Sequence, residues 1–203
     1  MSQLVDNRVT ELLISRLCHE VVGPIGAINN GVELIEEMGD DMVADAMALI
    51  GSSAKQAAAR VQFLRVAYGR TGRSETRAAD LRNIAGNALA HGRVSLDWPM
   101  GAIAPDIPDG AGGLILNLIE IGTSALPRGG TLAVEIGRQI VVTAEGQNAQ
   151  IPADLATAMT DGMAVEALTP RTVHGYWAGL IARQLGRPIR IQGEPPNRLR
   201  LLV

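Results

Sequence analysis

The chain has 203 residues, 47% hydrophobic but only 2% aromatic, with 18 basic and 21 acidic side chains and a net charge of −3. No window approaches the ~18 apolar residues of a membrane span. The single cysteine, Cys18, permits no internal disulfide and no cysteine-based zinc site, and so few aromatics on an acidic chain argue against stacking nucleic-acid bases. The core must be aliphatic, which suits packed helices with a small α/β layer and disfavours an all-β sandwich. The N-terminal run "MSQLVDNRVTEL" has no apolar signal core, so a cytoplasmic protein with no membrane and no nucleic-acid partner is expected. The length permits one domain or two small ones.

Residues 4 to about 38 read as a helix. Leu4, Glu11, Cys18, Ile25 and Val32 form one heptad row, and Asn7, Ile14, Val21, Ile28 and Ile35 form its partner. Eight of these ten positions are apolar, the pattern of a helix-bundle seam. "MGDD" at 38–41 supplies a glycine stop and an acidic helix start. Residues 41 to about 68 give a second helix, with Val43, Met47, Ile50, Ala54, Ala57, Val61 and Leu64 along one face. Two helices joined by a short turn make an antiparallel hairpin. A hairpin cannot bury two such stripes alone, so a homodimer with a four-helix core is expected.

The polar stretch "GRTGRSETRAAD" at 69–80 reads as a linker, separating a helical domain at 1–72 from a second domain at 78–203. There the pattern is a short helix ("DLRNIAGNALA"), a strand ("RVSLDW"), a loop from Pro99 to Pro108, and a buried helix ("GAGGLILNLIEIGTSAL"). A hairpin split near Gly137 follows, then a helix from "IPADLATAM", a helix in "TVHGYWAGLIARQLG", and a closing hairpin in "PIRIQGEPPNRLRLLV". Strands mixed with helices in this order imply an α/β sandwich. The expected class is α+β.

The chemistry concentrates in "SRLCHEVVGPIGAINNGVELIEE", residues 15–37. His19 falls one position after the seam residue Cys18, so it flanks the seam and faces outward. A neutral imidazole is a nitrogen nucleophile at pH 7. Glu20 points about 100° further round the helix, placed to orient the ring or polarise a ring nitrogen, directly or through water. Pro24 removes the partner of the Glu20 carbonyl, so a bend is expected there. Gly23 and Gly26 thin the surface on the His19 side, where another backbone can approach. An exposed nucleophile over small residues suits transfer to or from another protein, whereas a lone helical histidine is more often structural or merely solvated. Cys18 and His19 point too far apart to share a ligand. His91 and His174 have no acidic partner in sequence reach and no metal-ligand spacing.

The same residues carry a resemblance. "LCHEVVGPIGAINNGVELI" resembles the phosphoacceptor box of two-component histidine kinases, in which histidine is followed by an acidic residue and, five positions on, by proline; His19, Glu20 and Pro24 stand there. With "SLDWP" at 95–99, the chain is similar to the ChpT-type histidine phosphotransferases of alphaproteobacteria. The C-terminal half is similar in order to a histidine-kinase ATP-binding domain with its nucleotide residues changed. Ile121 stands in place of the magnesium-binding asparagine, Ser124 in place of a phosphate-facing lysine, and Glu145–Gly146 near the lost adenine-reading aspartate. Tyr176 and Trp177 replace small residues of the lid. Isoleucine offers Mg²⁺ no hard oxygen, so a domain that binds ATP poorly is expected.

The resemblance implies a phosphorelay histidine phosphotransferase, passing a phosphoryl group between receiver-domain aspartates through a phosphohistidine on His19, with Glu20 assisting. The partners implied are response-regulator receiver domains and the receiver domain of a hybrid histidine kinase. No cofactor is expected on this chain, because the partner receiver supplies Mg²⁺. Docking is expected on the outward face through Arg16, Val22, Gly23, Gly26 and Asn30, with Arg60 and Phe63 contributing from the second helix. Arg16 has two readings, neutralising phosphoryl charge or lying solvated on the helix. Two rival functions are an active ATP-dependent histidine kinase, which requires nucleotide binding, and a non-enzymatic dimer that binds receivers or kinases without phosphoryl transfer.

Overall fold

The computed structural model describes residues 5–38, 42–69, 77–99, 107–160, 162–194 and 197–203. Part of the expected linker, most of the Pro99–Pro108 loop, the glycine stop at Gly39 and the seam residue Leu4 lie outside the described residues. Two long helices come first, α1 (Asn7–Met38) and α2 (Val43–Tyr68). They are followed by α3 (Ala78–Leu89), β1 (Val94–Asp97), α4 (Ala111–Ser124), β2 (Gly130–Ile136), β3 (Ile140–Glu145), α5 (Ala153–Thr160), a 3₁₀ turn at Val165–Ala167, α6 (Val173–Gln184), β4 (Arg190–Glu194) and β5 (Arg198–Leu202). The class is α+β, as the element order in the sequence implies.

The α1–α2 hairpin is antiparallel and close. A Cβ on Gly31 would meet Ile50 Cγ1 at 2.6 Å and the Ala46 carbonyl at 3.2 Å, so only glycine admits this approach. α1 is helical without a break from Asn7 to Met38, with Pro24 inside it. One face of the hairpin is left uncovered within the chain. Ile14, Cys18, Ile25 and Val32 on α1 and Met47 and Val61 on α2 are all exposed, and these belong to the heptad rows and to the expected face of α2.

The five strands order β1-β2-β3-β5-β4, with β1–β2 parallel and the rest antiparallel. β3 (Ile140–Glu145) is the central strand, and its burial is continuous through Ala144. α4 supplies the middle of the core: every residue from Ala111 to Gly122 is buried. A Cβ on Gly122 would lie 2.7 Å from a Leu132 methyl, so α4 sits directly on β2.

The hairpin does not hang free of this layer. Phe63, Leu64, Val66 and Ala67 at the end of α2 belong to the same core cluster as Leu114, Ile115 and Leu118 of α4. Gly113 lets the helices meet; its Cβ would be 3.0 Å from the Val66 carbonyl. A second cluster joins Val9 and Leu13 of α1 to Ala158, Leu168 and Val173. Arg8 staples that contact, donating to the carbonyls of Val165, Glu166 and Leu168 at 3.1, 3.2 and 3.3 Å. The core thus runs without interruption from the expected helical domain into the α/β layer.

Candidate functional site

Cys18, His19 and Glu20 point in turn about 100° apart around α1, and each meets a different environment. Cys18 lies in the exposed apolar stripe. His19 is exposed, and its ring makes no hydrogen bond or ion pair with any described residue. Glu20 turns into the crevice between the hairpin and α4. Beyond His19, Val22 is 65% exposed, Gly23 and Gly26 have open space where a Cβ would stand, and Asn30 is exposed. These four give α1 an open, thin surface beside the histidine.

Two expectations about direction are corrected. Glu20, expected to orient the His19 ring directly or through water, bonds Arg60 instead: its carboxylate accepts from Arg60 Nε at 3.2 Å and lies 3.1 Å from Arg60 Nη2. Arg16 Nη2 approaches it at 3.6 Å. Arg16 itself, expected on the outward docking face, has a side chain only 14% exposed. It donates to Glu120 Oε1 at 2.6 Å, to the Tyr68 hydroxyl at 3.1 Å and to the Pro170 carbonyl at 3.2 Å. The cause in both cases is a buried anion on α4 that draws the cations inward. Phe63, expected to contribute to docking, is instead 1% exposed and part of the core.

That anion is Glu120, a residue absent from the sequence expectations. It sits in the buried α4 helix and is 7% exposed. Arg60 grips it with both terminal nitrogens, Nη1 to Oε2 at 2.9 Å and Nη2 to Oε1 at 2.6 Å. Burial pushes the Glu120 pKa up, but Arg60 and then Arg16 outweigh it and hold the carboxyl down at about 2. The guanidinium of Arg60 is raised above its ordinary range, burial being overcome by Glu120 and Glu20. Burial and Glu120 raise the Tyr68 phenol to about 12. Two arginines and two carboxylates thus meet in one charge-balanced cluster, the condition under which buried charges are tolerated. A sequence signal existed: a single charged residue in the apolar run "LILNLIEIG" has to be paired when the helix is buried.

A cavity of about 370 Å³ opens on this cluster, lined among others by Arg16, Glu20, Arg60, Glu120, His91 and Arg93. His91 is exposed in the turn after α3. His174 is the opposite case, 2% exposed on α6 with neither ring nitrogen bonded to any described residue. Burial lowers its pKa to about 4, with Arg16 pushing the same way. A neutral, enclosed ring is placed for packing, not for reaction with another protein. Among the described residues no cluster of His, Cys, Asp or Glu is arranged to hold a metal ion, and no helix is long and apolar enough to cross a membrane.

Of the positions that resemble a nucleotide site, Ile121 is fully buried, Tyr176 and Trp177 are half-buried, and Ser124 and Glu145 are exposed. The Asn117 amide donates to the carbonyls of Ala67 at 2.6 Å and Gly113 at 2.8 Å. The Trp177 indole donates to the same Ala67 carbonyl at 3.2 Å, fastening α6 to the end of α2. Gly175 and Gly179 bring α6 onto α5; their Cβ atoms would meet a Leu155 methyl at 2.5 Å and the Met159 carbonyl at 2.3 Å. Glu145, at the end of β3, pairs with Arg198, at the start of β5, at 2.9 Å.

Comparison with known proteins agrees with this arrangement. Residues 78–196 match the histidine phosphotransferase C-terminal domain family. The protein phosphotransferase ChpT of Brucella abortus (strain 2308) is 36% identical over 187 residues, spanning 89% of this chain and 88% of that protein. A solved structure of a bacterial phosphotransferase superposes with a TM-score of 0.83 at 34% identity, covering 99% of this chain and 98% of that one. The exposed histidine, the hairpin that carries it and the α/β layer packed beneath therefore have one reading: this chain is a phosphotransferase and belongs to the histidine phosphotransferase family.

Proposed function

We propose that the chain acts as a phosphorelay shuttle in which His19 takes a phosphoryl group from the aspartyl phosphate of one receiver domain and gives it to the aspartate of another. The observation that carries this is the exposed, unengaged His19 ring above the open surface of Val22, Gly23, Gly26 and Asn30. One ring nitrogen attacks phosphorus in line, the P–O bond to the receiver aspartate breaks, and that aspartate leaves as a carboxylate. The ring then carries positive charge, or gives up the proton on its other nitrogen. Glu20, next along the chain, is the carboxylate assigned to this charge, reached when the exposed His19 ring turns toward the crevice in which Arg60 holds it. Phosphoryl transfer needs positioning and charge neutralisation more than covalent help. The Mg²⁺ belongs to the receiver, and Val22, Gly23, Gly26 and Asn30 form the docking surface. The burial of Ile121 favours a protein phosphoryl donor over ATP.

The working form is a homodimer. The exposed stripe of Ile14, Cys18, Ile25, Val32, Met47 and Val61 follows the heptad spacing of a bundle seam. The Arg60–Glu20 and Arg16–Tyr68 contacts set a hairpin register that levels Val32 with Met47 and Cys18 with Val61. A continuous apolar strip on an otherwise polar hairpin is what a second hairpin covers in a four-helix bundle.

The test is transfer from a receiver carrying a radiolabelled aspartyl phosphate to the full chain, with His19→Ala and His91→Ala in parallel. Label should appear on the wild type and on His91→Ala and be absent from His19→Ala. Persistent labelling of the His19 variant sinks the assignment.

A further inference from the structure

We infer that Glu120 is a positioning residue for the transfer: acting through Arg60, it fixes the Glu20 carboxylate beside the turn that carries His19. This rests on the reading of His19 as phosphoacceptor and Glu20 as its assisting carboxylate.

The geometry is a two-edged clamp. One edge of the Arg60 guanidinium, Nη1 and Nη2, grips Glu120 at 2.9 and 2.6 Å. The other edge, Nε and Nη2, meets Glu20 Oε2 at 3.2 and 3.1 Å. A guanidinium is planar and delocalised, so its edges cannot turn independently. Anchoring one edge on the α/β domain therefore fixes where the other holds Glu20. The Phe63 ring, buried in the core, lies with its centroid 5.2 Å from Arg60 Cζ and confines the plane from a third side. Arg16 bonds Glu120 at 2.6 Å and stands 3.6 Å from Glu20, a second and looser tie. Short contacts go to the buried anion and longer ones to Glu20, so Glu120 is the anchor and Glu20 the group being placed.

The consequence is chemical. Charge grows on the imidazole as the nitrogen–phosphorus bond forms. With Glu20 already held in place, only the exposed His19 ring has to turn toward it for the carboxylate to stabilise that charge. The anchor lies on α4, next to the fully buried Ile121. The α/β domain thereby contributes to chemistry on the hairpin.

A double-mutant cycle on the full chain tests this, using the radiolabelled-receiver assay. Glu120→Gln, and separately Arg60→Lys, should each lower the saturating transfer rate about tenfold, with the half-saturating receiver concentration unchanged within about twofold. Arg60→Lys keeps the charge opposite Glu120, and with it the fold, but an ammonium cannot hold two carboxylates in one plane; it decides the matter if Glu120→Gln fails to fold. In a Glu20→Gln background neither change should slow transfer further. Losses that multiply in that background, a raised half-saturating concentration at unchanged rate, or no loss at all would overturn the inference. Labelling of His19→Ala would instead bring down the underlying assignment, so the two failures are distinct.

Discussion

Lowering the pH should weaken the fold in two separate stages, the first belonging to His174. Its ring is enclosed by the packing of α6 and feels charges from three other helices: Arg16 on α1, Arg60 on α2 and Glu120 on α4. Burial, aided by Arg16, lowers its pKa from 6.5 to about 4. The unfolded chain therefore binds a proton before the folded one as pH falls. The contribution to stability is complete above about pH 6.5 and is lost as pH falls toward about 4, amounting to on the order of 3 kcal/mol. Below that point the native ring is protonated too and the loss stops. Glu120 then takes over: its carboxyl, held down at about 2 from 4.5, contributes stability that is present above 4.5 and lost as pH falls through 2. Urea unfolding of the full chain, followed by far-UV circular dichroism from roughly pH 7.5 to pH 4, should show the first stage directly. His174→Leu should remove it. Because neither ring nitrogen has a partner among the described residues, the variant should be at least as stable as the wild type at neutral pH, and its advantage should grow as pH falls. Parallel stability curves for the two proteins would refute the reasoning.

Three further outcomes follow from the packing. Ile25→Glu places a charge in the middle of the exposed stripe, where Ile25 is already 47% exposed; light scattering should show a monomer of unchanged helicity, and an intact dimer would contradict the proposed seam. Gly179→Ala forces a Cβ to within 2.3 Å of the Met159 carbonyl; the α5–α6 contact should loosen at a cost of about 1–3 kcal/mol in denaturant unfolding. Gly23→Ala with Gly26→Ala meets no atom within 4 Å; helix stability should rise by about 0.5–1 kcal/mol per site, while transfer from the receiver slows because the docking surface is thicker.

Much of the molecule is legible in its sequence because helical and strand periodicities are local. The heptad row through Cys18 and Ile25 marks the face that the hairpin leaves uncovered, and the runs either side of Gly137 mark β2 and β3. The exposure of His19 is legible as well: it lies one residue past Cys18 of the heptad row, on a surface thinned by Gly23 and Gly26. The inward turn of Arg16 and Glu20 is not legible. Periodicity says which way a side chain leaves its helix, but not which buried charge waits beyond it.

By itself, then, the sequence determined the elements, the hairpin, the apolar stripe and the exposed His19, all of which depend on neighbours within a few turns of chain. Only the tertiary structure decided the charge cluster. Glu120 meets Arg60 across 60 residues and Arg16 across 104, and Arg60 meets Glu20 across 40. No spacing rule links these positions. They converge because α4 lies flat on the sheet and Gly113 lets it press against the end of α2. A carboxylate in that dry position must then be neutralised by whatever cations the hairpin presents.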